Sequence, residues 1–394
     1  MSQDPIVITS AVRTPIGGLQ GMFAGIPGTQ LGSIALAAAV QRGGVKPEDV
    51  QEVIMGCVLP AGLGQAPARQ AVRGAGLPDA AGATTINKVC GSGLKAVMLA
   101  NDLIKAESAE IVLAGGMESM SNAPYLLPKA RGGYRFGHGE VLDHMALDGL
   151  EDAYEKRTPM GLFAERCVER YGFTRQMQDE FALSSLSRAK KANEDGSFDF
   201  EVVPVEVQGR KGSETISRDE QPFKASPEKI PSLKPAFKKD GTVTAANASS
   251  ISDGASALLL MRLSQAEKRG IKPLARVVGH ATHSRLPSEF TIAPVYAISN
   301  LLGKIGWTAA GVDLWEINEA FACVTMASMV DHKLPAERVN VHGGACALGH
   351  PIGASGARIL TTLIGALRKT GGKRGIASLC IGGGEAVALA VEMI

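Results

Sequence analysis

A cysteine between a β-type run and a helical run could act as a nucleophile. Cys90 follows a β-type run and precedes an amphipathic helical pattern, whose apolar residues recur at offsets of three and four from Leu94 to Ile104. At a helix N-terminus, unpaired N–H groups and the helix dipole stabilise an anion, so we expect a lowered thiol pKa. The glycines at 91 and 93 leave the thiol open to a substrate. Taken alone, packing explains such a cysteine better than chemistry does.

Three glycine-rich or tightly turned stretches near the C-terminus also carry reactive groups. They supply an amide, an imidazole and a second thiol, which belong to Asn318, His350 and Cys380. In open α/β sheets, ligands bind in the crevice outside the carboxyl ends of the strands. If the parts of the chain pack face to face, these groups and Cys90 are gathered in one cleft.

The remaining cysteines predict no metal and no disulfide. Cys346 lies between His342 and His350, but the intervening glycines argue against a helical ligand face and no matching carboxylate stands nearby, so we expect no metal. Cys57, Cys167 and Cys323 are expected in the core. Because the six cysteines show no pairing pattern and no CxxC, reduced thiols and a cytoplasmic protein are expected.

The elements that must position these groups follow a pattern that occurs twice. Buried strands alternate with helices, which predicts a largely parallel sheet covered on both faces. Three landmarks of the first part return in the same order in the last part: Asp49–Val53 matches Asp313–Ile317, Ser92-Gly93 matches Ser355-Gly356, and Ile111–Glu118 matches Ile376–Glu385. We therefore predict two halves of similar topology.

A more charged and less regular segment separates the two halves. We assign residues 1–121 to the first half, completed by about 242–270, residues 122–241 to an inserted segment, and 271–394 to the second half. Long insertions of this kind cover a site or form an interface. Prolines at 222, 227, 231 and 235 argue against regular structure in that stretch.

Composition excludes several classes of protein. The chain has 394 residues, 45% of them apolar, and a net charge of only +2, which indicates a globular protein with no affinity for nucleic acid. The longest apolar runs are too short to span a bilayer, and the N-terminus lacks the pattern of a signal or transit peptide. We expect no membrane partner and a cytoplasmic location.

Four blocks of the sequence resemble the signature blocks of the thiolase family, in family order and spacing across essentially the whole chain. They are Val89-Cys-Gly-Ser-Gly, Asn318-Glu-Ala-Phe-Ala, Gly349-His-Pro-Ile-Gly-Ala-Ser-Gly and Cys380-Ile-Gly-Gly-Gly. The resemblance implies an α/β fold of two βαβαβαββ halves, which form a five-layered α-β-α-β-α core with an inserted loop domain over the site.

The resemblance also implies a reaction and a role for each residue. Cys90 would attack a thioester or 3-ketoacyl carbonyl and hold the acyl group, with His350 taking its proton. Cys380 would remove or return a proton at the α-carbon of acetyl-CoA. Asn318 would hold a water that stabilises the enolate-like oxygen together with His350. The backbone N–H groups of Cys90 and Gly382 would form a second oxyanion hole. Coenzyme A thioesters are substrates, and no other cofactor is implied.

The family places coenzyme A under the loop domain. The residues implied at its arm and channel are Ser249, Phe237, Leu150 and Met160. This chain departs from common members at Pro159, where many have histidine, and at Phe223, where many have arginine near the adenine. We assign stacking on adenine to Phe223 and contact with a phosphate to Lys224. These departures leave the preferred acyl-chain length open.

Several functions stay open at this stage. The first is the reversible condensation of two acetyl-CoA molecules, and the second is cleavage of longer 3-ketoacyl-CoA in fatty-acid breakdown. A decarboxylating ketoacyl synthase would carry two histidines where this chain has Asn318 and Cys380, and a non-catalytic lipid-binding member would not need an intact Cys90. Residues 131–138 resemble the segment through which tetrameric members associate, so a homotetramer built from dimers is expected.

Overall fold

A twisted sheet runs through the centre of the protein, and helices cover it on both faces. The computed structural model describes residues 4–209 and 212–394. The strands are β1 (Ile6–Arg13), β2 (Gly17–Gly18), β3 (Glu52–Gly56), β4 (Gly82–Ile86), β5 (Ile111–Ser119), β6 (Tyr125–Leu126), β7 (Leu142–Asp143), β8 (Val205–Gly209), β9 (Gly212–Ile216), β10 (Ser252–Arg262), β11 (Ala275–Ser284), β12 (Leu314–Ile317), β13 (Arg374–Ile381) and β14 (Glu385–Met393).

The helices alternate with these strands as the sequence pattern predicts. They are α1 (Gly28–Gly43), α2 (Pro67–Gly74), α3 (Ser92–Lys105), α4 (Met160–Tyr171), α5 (Arg175–Glu194), α6 (Gln221–Lys224), α7 (Leu263–Lys268), α8 (Ala293–Ile305), α9 (Ala322–His332), α10 (Ala345–Leu348) and α11 (Ser355–Thr370). Within the described residues, no helix combines the length and the apolar character needed to cross a bilayer.

The two halves have the same strand order and the same strand directions. In the first half the order is β4-β3-β5-β10-β1, in which β4, β3 and β5 are parallel and β10 and β1 alternate in direction. In the second half the order is β12-β13-β14-β11, and Val339 adds a parallel bridge to Trp315 in the position that β4 occupies in the first half. The predicted duplication is therefore confirmed.

Short antiparallel pairing between β1 and β11 joins the two half-sheets. Val7 pairs with Arg276 and Ile8 pairs with Ala275, so the strands form one continuous hydrogen-bonded sheet. The first strand of each half thus meets its counterpart at the centre of the molecule.

The helices form three layers around the two half-sheets. One apolar cluster packs α3 and α11 between the sheets, a second packs α1 and α2 on the outer face of the first half, and a third packs α8 on the outer face of the second. This arrangement confirms the predicted five-layered α-β-α-β-α core. The continuous apolar runs in the sequence correspond to strands such as β1 and β5, which are buried along their whole length.

Two glycines allow the central helices to touch at their first turns. A Cβ added at Gly93 would lie 2.7 Å from the backbone nitrogen of Ala357, and one added at Gly356 would lie 2.3 Å from the nitrogen of Leu94. Since real Cβ atoms do not approach backbone this closely, both positions require glycine. The repeated Ser-Gly pair is thus the point where α3 and α11 meet.

The inserted segment contains two long helices and several short elements. Thr174 caps α5 by accepting a hydrogen bond from the N–H of Met177 at 3.1 Å, as its type and position predict. The expectation of irregular structure at the proline cluster is wrong in part, because α6 and a 3₁₀ turn over Pro227–Ser232 form there. Pro222 is compatible with α6 because it lies in the first turn, where its missing N–H has no helical partner. No finding tests the predicted domain boundaries, and they stay a prediction.

Candidate active site

A strained turn between β4 and α3 presents Cys90. Val89 has a φ of +46°, which is a costly conformation for a β-branched residue. Two side chains hold it there. Asn87 Oδ1 accepts a hydrogen bond from the N–H of Val89 at 2.8 Å, and Ser92 Oγ donates to the carbonyl of Val89 at 2.7 Å. The turn places half-buried Cys90 two residues before the first residue of α3.

The predicted lowering of the Cys90 pKa is wrong. Burial raises the pKa of this thiol to about 11, and the N–H groups of Gly382 and of Cys90 itself oppose the rise only in part. Burial decides the direction because Cys90 packs against the apolar cluster between the two half-sheets, which includes Ile381 of β13 and residues of α11. The two N–H groups that act on the sulfur are the pair expected to form an oxyanion hole.

The second thiol lies close to the first. Cys380 is buried near the end of β13, and Gly382 follows it directly after the strand. Burial raises the pKa of Cys380 well above its usual value, and the nearby Cys90 thiol raises it further. The structure thus brings Cys90, Cys380 and Gly382 into one site.

His350 is buried with one ring nitrogen engaged and the other unpartnered. Ser355 Oγ lies 2.6 Å from His350 Nδ1 and 3.0 Å from the carbonyl oxygen of Pro351. Because the hydroxyl donates its hydrogen to that carbonyl, it accepts the proton of Nδ1, and this network assigns the free lone pair to Nε2. Among the described residues Nε2 has no hydrogen-bond partner. Burial, with a smaller effect of Arg358, lowers the pKa of His350 to about 3, so the ring is neutral at physiological pH.

Asn318 is buried at the end of β12. Its N–H donates to the carbonyl of Ser378 on β13, at 3.0 Å. Its Oδ1 accepts a hydrogen bond from Arg358 Nη2 at 3.4 Å, and its Nδ2 has no partner in the part of the chain that the structure describes. The amide therefore keeps its donor group available for a ligand.

The meeting point of α3 and α11 explains how the two halves build one site. The first turns of these helices touch, and Cys90 and His350 lie in the turns that lead into them. Ile352, from the His350 turn, packs in one apolar cluster with Cys90. The sequence prediction that both halves contribute to a single cleft is consistent with this geometry.

Sequence reasoning missed the residue that ties the turns together. Glu118, buried on β5, accepts hydrogen bonds from the N–H groups of Val58 at 2.9 Å, Leu59 at 3.2 Å and Gly353 at 2.9 Å. Burial raises the pKa of Glu118 to about 7 despite these donors. A carboxylate inside a completely buried strand is the signal that could have revealed it. Ser355 and Arg358, on the first turn of α11, were missed in the same way.

The residues predicted to line the channel for coenzyme A make different contacts in the structure. Met160 Sδ would lie 3.8 Å from a Cβ at Gly382, and Leu150 packs in the cluster that contains Cys90. Phe237 meets Phe321 edge to face, with ring centroids 6.0 Å apart. Ser249 is half-buried, and its N–H donates to the carbonyl of Ala320 at 3.0 Å.

The two residues predicted for the nucleotide end lie on α6. Phe223 is exposed, with the guanidinium of Arg218 5.6 Å from its ring centroid. Lys224 is paired with Glu220, which also accepts hydrogen bonds from the N–H groups of Gly18 and Met22. The ammonium of Lys224 is thus already engaged in this structure. Within residues 4–209 and 212–394, no three acidic, histidine or cysteine side chains are grouped as metal ligands.

Comparison with known proteins gives one consistent result. The family model described as "Thiolase, N-terminal domain" matches residues 6–264, and "Thiolase, C-terminal domain" matches residues 271–393. Acetyl-CoA acetyltransferases from Cupriavidus necator and Chromobacterium violaceum are 49% and 50% identical to this chain, each over 98% of it and 99% of the relative.

Solved structures agree with the sequence comparison. An acetyl-CoA acetyltransferase from Bacillus anthracis superimposes with a TM-score of 0.96 at 43% identity, over 99% of both chains. A thiolase from Ascaris suum, solved in complex with coenzyme A, superimposes with a TM-score of 0.93 at 41% identity, over 99% of this chain and all of the other.

Proposed function

Because this chain belongs to the thiolase family, we propose that it catalyses the reversible Claisen condensation of two acetyl-CoA molecules to acetoacetyl-CoA and CoA. The observation that supports this reaction best is the pair of thiols, Cys90 and Cys380, with the N–H groups of Cys90 and Gly382 acting on the first sulfur. Full-length relatives named acetyl-CoA acetyltransferase point to the same activity.

In the first half-reaction an acetyl group moves to Cys90. Sγ attacks the thioester carbonyl while the free lone pair of His350 Nε2 takes the thiol proton. The N–H groups of Cys90 and Gly382 stabilise the oxyanion that forms. The C–S bond then breaks, and Cys380 gives its proton to the departing CoA thiolate. This step suits the raised pKa of Cys380, because a thiol that is protonated at rest can act first as an acid.

In the second half-reaction a carbon–carbon bond forms. The Cys380 thiolate removes a proton from the α-carbon of a second acetyl-CoA, and the enolate attacks the acetyl group on Cys90. His350 and a water held by Asn318 Nδ2 stabilise the enolate oxygen. The C–S bond to Cys90 breaks, and the His350 imidazolium returns the proton to the sulfur. All groups regain their resting states, so we propose that no further cofactor takes part.

We propose that coenzyme A approaches under the inserted segment, past Met160, Leu150, Phe237 and Ser249. Because the ammonium of Lys224 is paired with Glu220, the assignment of Lys224 to a phosphate of coenzyme A is weakened. We further propose a cytoplasmic homotetramer, in keeping with the unpaired cysteine pattern and the exposed aromatic residues around 125–136.

The test is acetylation of the protein followed by turnover. After incubation with acetyl-CoA, the intact mass should rise by one acetyl group, and Cys90→Ser should show no such gain. Cys346→Ser is the matched control, because the replaced thiol donates to the carbonyl of Glu319 and a hydroxyl can do the same. An unmodified wild-type protein would contradict the proposed function and favour a non-catalytic lipid-binding role.

Thiolysis rates across chain lengths separate the proposal from its nearest rival. We expect acetoacetyl-CoA to be cleaved faster than longer 3-ketoacyl-CoA thioesters. Faster cleavage of the longer substrates would instead assign the protein to fatty-acid breakdown, with the same residues in the same roles.

A further inference from the structure

One buried arginine contacts Asn318, which holds one of the two groups that stabilise the enolate in the proposed reaction. Arg358 lies on the first turn of α11, and only 2% of its surface is exposed. Its Nη2 donates to Asn318 Oδ1 at 3.4 Å, and its Nη1 lies 3.5 Å from Glu316 Oε2. Arg358 itself does not reach the thiols through any hydrogen bond among the described residues, so it is not a reacting group.

The chemistry of the guanidinium fixes the direction of the Asn318 amide. A guanidinium has only N–H donors, so the amide must present its oxygen to it. A rotation of the amide by half a turn would place NH₂ against the buried guanidinium and leave two donors facing each other. The amide NH₂, which has no partner among the described residues, is therefore held away from α11 and is free to bind a water.

The same helix turn also orients the imidazole. Ser355 holds His350 Nδ1, and Arg358 follows Ser355 by three residues, which places both on one face of α11. Each side chain thus controls one of the two groups that would contact the enolate oxygen.

We propose that Arg358 is a positioning residue for the condensation step, which it serves by fixing the orientation of the Asn318 amide. This inference rests on the proposed function, in which Asn318 acts in the second half-reaction. The competing explanation is that Arg358 only balances buried charge, since the carboxyl groups of Glu316, Glu201 and Glu319 all raise its pKa against the effect of burial.

Arg358→Lys tests the inference, because lysine keeps the charge but lacks the planar guanidinium that contacts Asn318 and Glu316 at the same time. We expect condensation to slow by about 10- to 100-fold, because small displacements of catalytic groups cause rate losses of this size. KM for acetyl-CoA should stay within about threefold of the wild-type value. The rate at which Cys90 is acetylated, measured as the gain in intact mass, should be close to that of the wild type. An equal loss in both half-reactions would overturn the inference.

Glu316→Gln is the matched control, because it replaces the carboxyl group nearest to Nη1 of Arg358 and leaves the contact with Asn318 in place. We expect its condensation rate to stay within about threefold of the wild type. If Glu316→Gln loses as much activity as Arg358→Lys at an equal melting temperature, charge balance is the role of Arg358 and the proposal is wrong.

A double-variant cycle gives the decisive readout. Because Arg358 acts through Asn318, adding Arg358→Lys to Asn318→Ala should cause no further loss of condensation rate. If the rate loss of the double variant is the product of the two single losses, Arg358 does not act through Asn318 and the proposal is wrong. Failure of the wild-type protein to acetylate Cys90 would instead contradict the proposed function, so the two failures are distinguishable.

Discussion

Burial keeps the ionisable groups of this active site in their uncharged forms. The pKa of Cys90 is raised to about 11, the pKa of Cys380 is raised well above its usual value, and the pKa of His350 is lowered to about 3. A neutral thiol and a neutral imidazole can exchange a proton only as the substrate carbonyl accepts the sulfur. The oxyanion hole at Cys90 and Gly382 then stabilises the charge where it develops.

The buried His350 should make the folded protein sensitive to acid. An unfolded histidine takes up a proton near pH 6.5, whereas the folded pKa is about 3, so the unfolded state binds more protons between these values. Stability is therefore present above pH 6.5 and falls as the pH falls toward 3. We expect His350→Asn to lose less unfolding free energy than the wild type between pH 7.5 and pH 5, measured by urea denaturation. Equal losses in both proteins would contradict a neutral, buried His350.

Ser355 should control the activity of His350 without contacting substrate. Ser355→Ala removes the acceptor for Nδ1–H, so the ring can adopt the other tautomer and loses its orientation. We expect kcat to fall about 10-fold with KM little changed. Ser299→Ala is the matched control, because Ser299 on α8 also donates to the carbonyl four residues earlier, that of Val295, at 3.0 Å. A similar loss of kcat in both variants would point to a general helix effect.

At the scale of elements, contact between the first turns of α3 and α11 positions the site. Gly356→Ala should separate the two helices, because its Cβ would meet backbone atoms of Leu94. We expect a loss of about 2 kcal/mol or more in unfolding free energy, typical of overpacking, together with a large loss of activity. Urea denaturation and a thiolysis assay measure the two effects.

Gly303→Ala on α8 is the control for this experiment. A Cβ at Gly303 meets nothing within 4 Å, so the substitution should stabilise the protein by about 0.5–1 kcal/mol through helix propensity. If Gly356→Ala is also neutral or stabilising, the close approach of α3 and α11 does not control the site.

The sequence was sufficient to predict the long alternating elements and to select candidates for the reactive residues. Alternating apolar strands and helices predicted the layers, and the repeated Ser-Gly pair predicted two related halves. Cys90, His350 and Cys380 could be selected because each lies in a glycine-rich context next to a regular element. These signals are local, and local patterns can be recognised without knowledge of the packing.

The properties that depend on distant contacts were not predictable. The direction of the Cys90 pKa shift depends on burial against a cluster that includes Ile381 of β13, about 290 residues further along the chain. Glu118, Ser355 and Arg358 act through hydrogen bonds across elements, and their types alone do not distinguish them from surface residues. Short elements such as the β8–β9 hairpin and α6 give too few residues for a periodic pattern.

At the scale of the whole molecule, Glu118 links the halves through the loop before α11. It joins Val58 and Leu59 of the first half to Gly353 of the second. Both carboxyl oxygens of Glu118 accept hydrogen bonds from these backbone N–H groups. Glu118→Gln should therefore place an NH₂ group, which is a donor, against a backbone donor. We expect a loss of about 2 kcal/mol in stability and a fall in kcat, measured by denaturation and thiolysis. Unchanged stability would show that the link is dispensable.

The inserted segment exposes aromatic and aliphatic side chains that a monomer would leave in water. Phe136 is completely exposed, Tyr125 is 69% exposed, and Leu127, Tyr134 and Val141 lie in the same stretch. Because single chains rarely expose such a concentration of apolar residues, we expect this surface to join dimers into a tetramer. The combined variant Tyr134→Ser with Phe136→Ser should sediment as a dimer in analytical ultracentrifugation, whereas the unmodified protein should sediment as a tetramer.

The dimeric variant should keep its activity per subunit, because Tyr134 and Phe136 lie outside the residues assigned to the site. Val330→Ser is the matched control, since Val330 is 55% exposed on α9, outside this segment, and its replacement should leave the tetramer intact. A monomeric unmodified protein, or a tetramer that persists in the combined variant, would show that residues 125–141 do not form the interface.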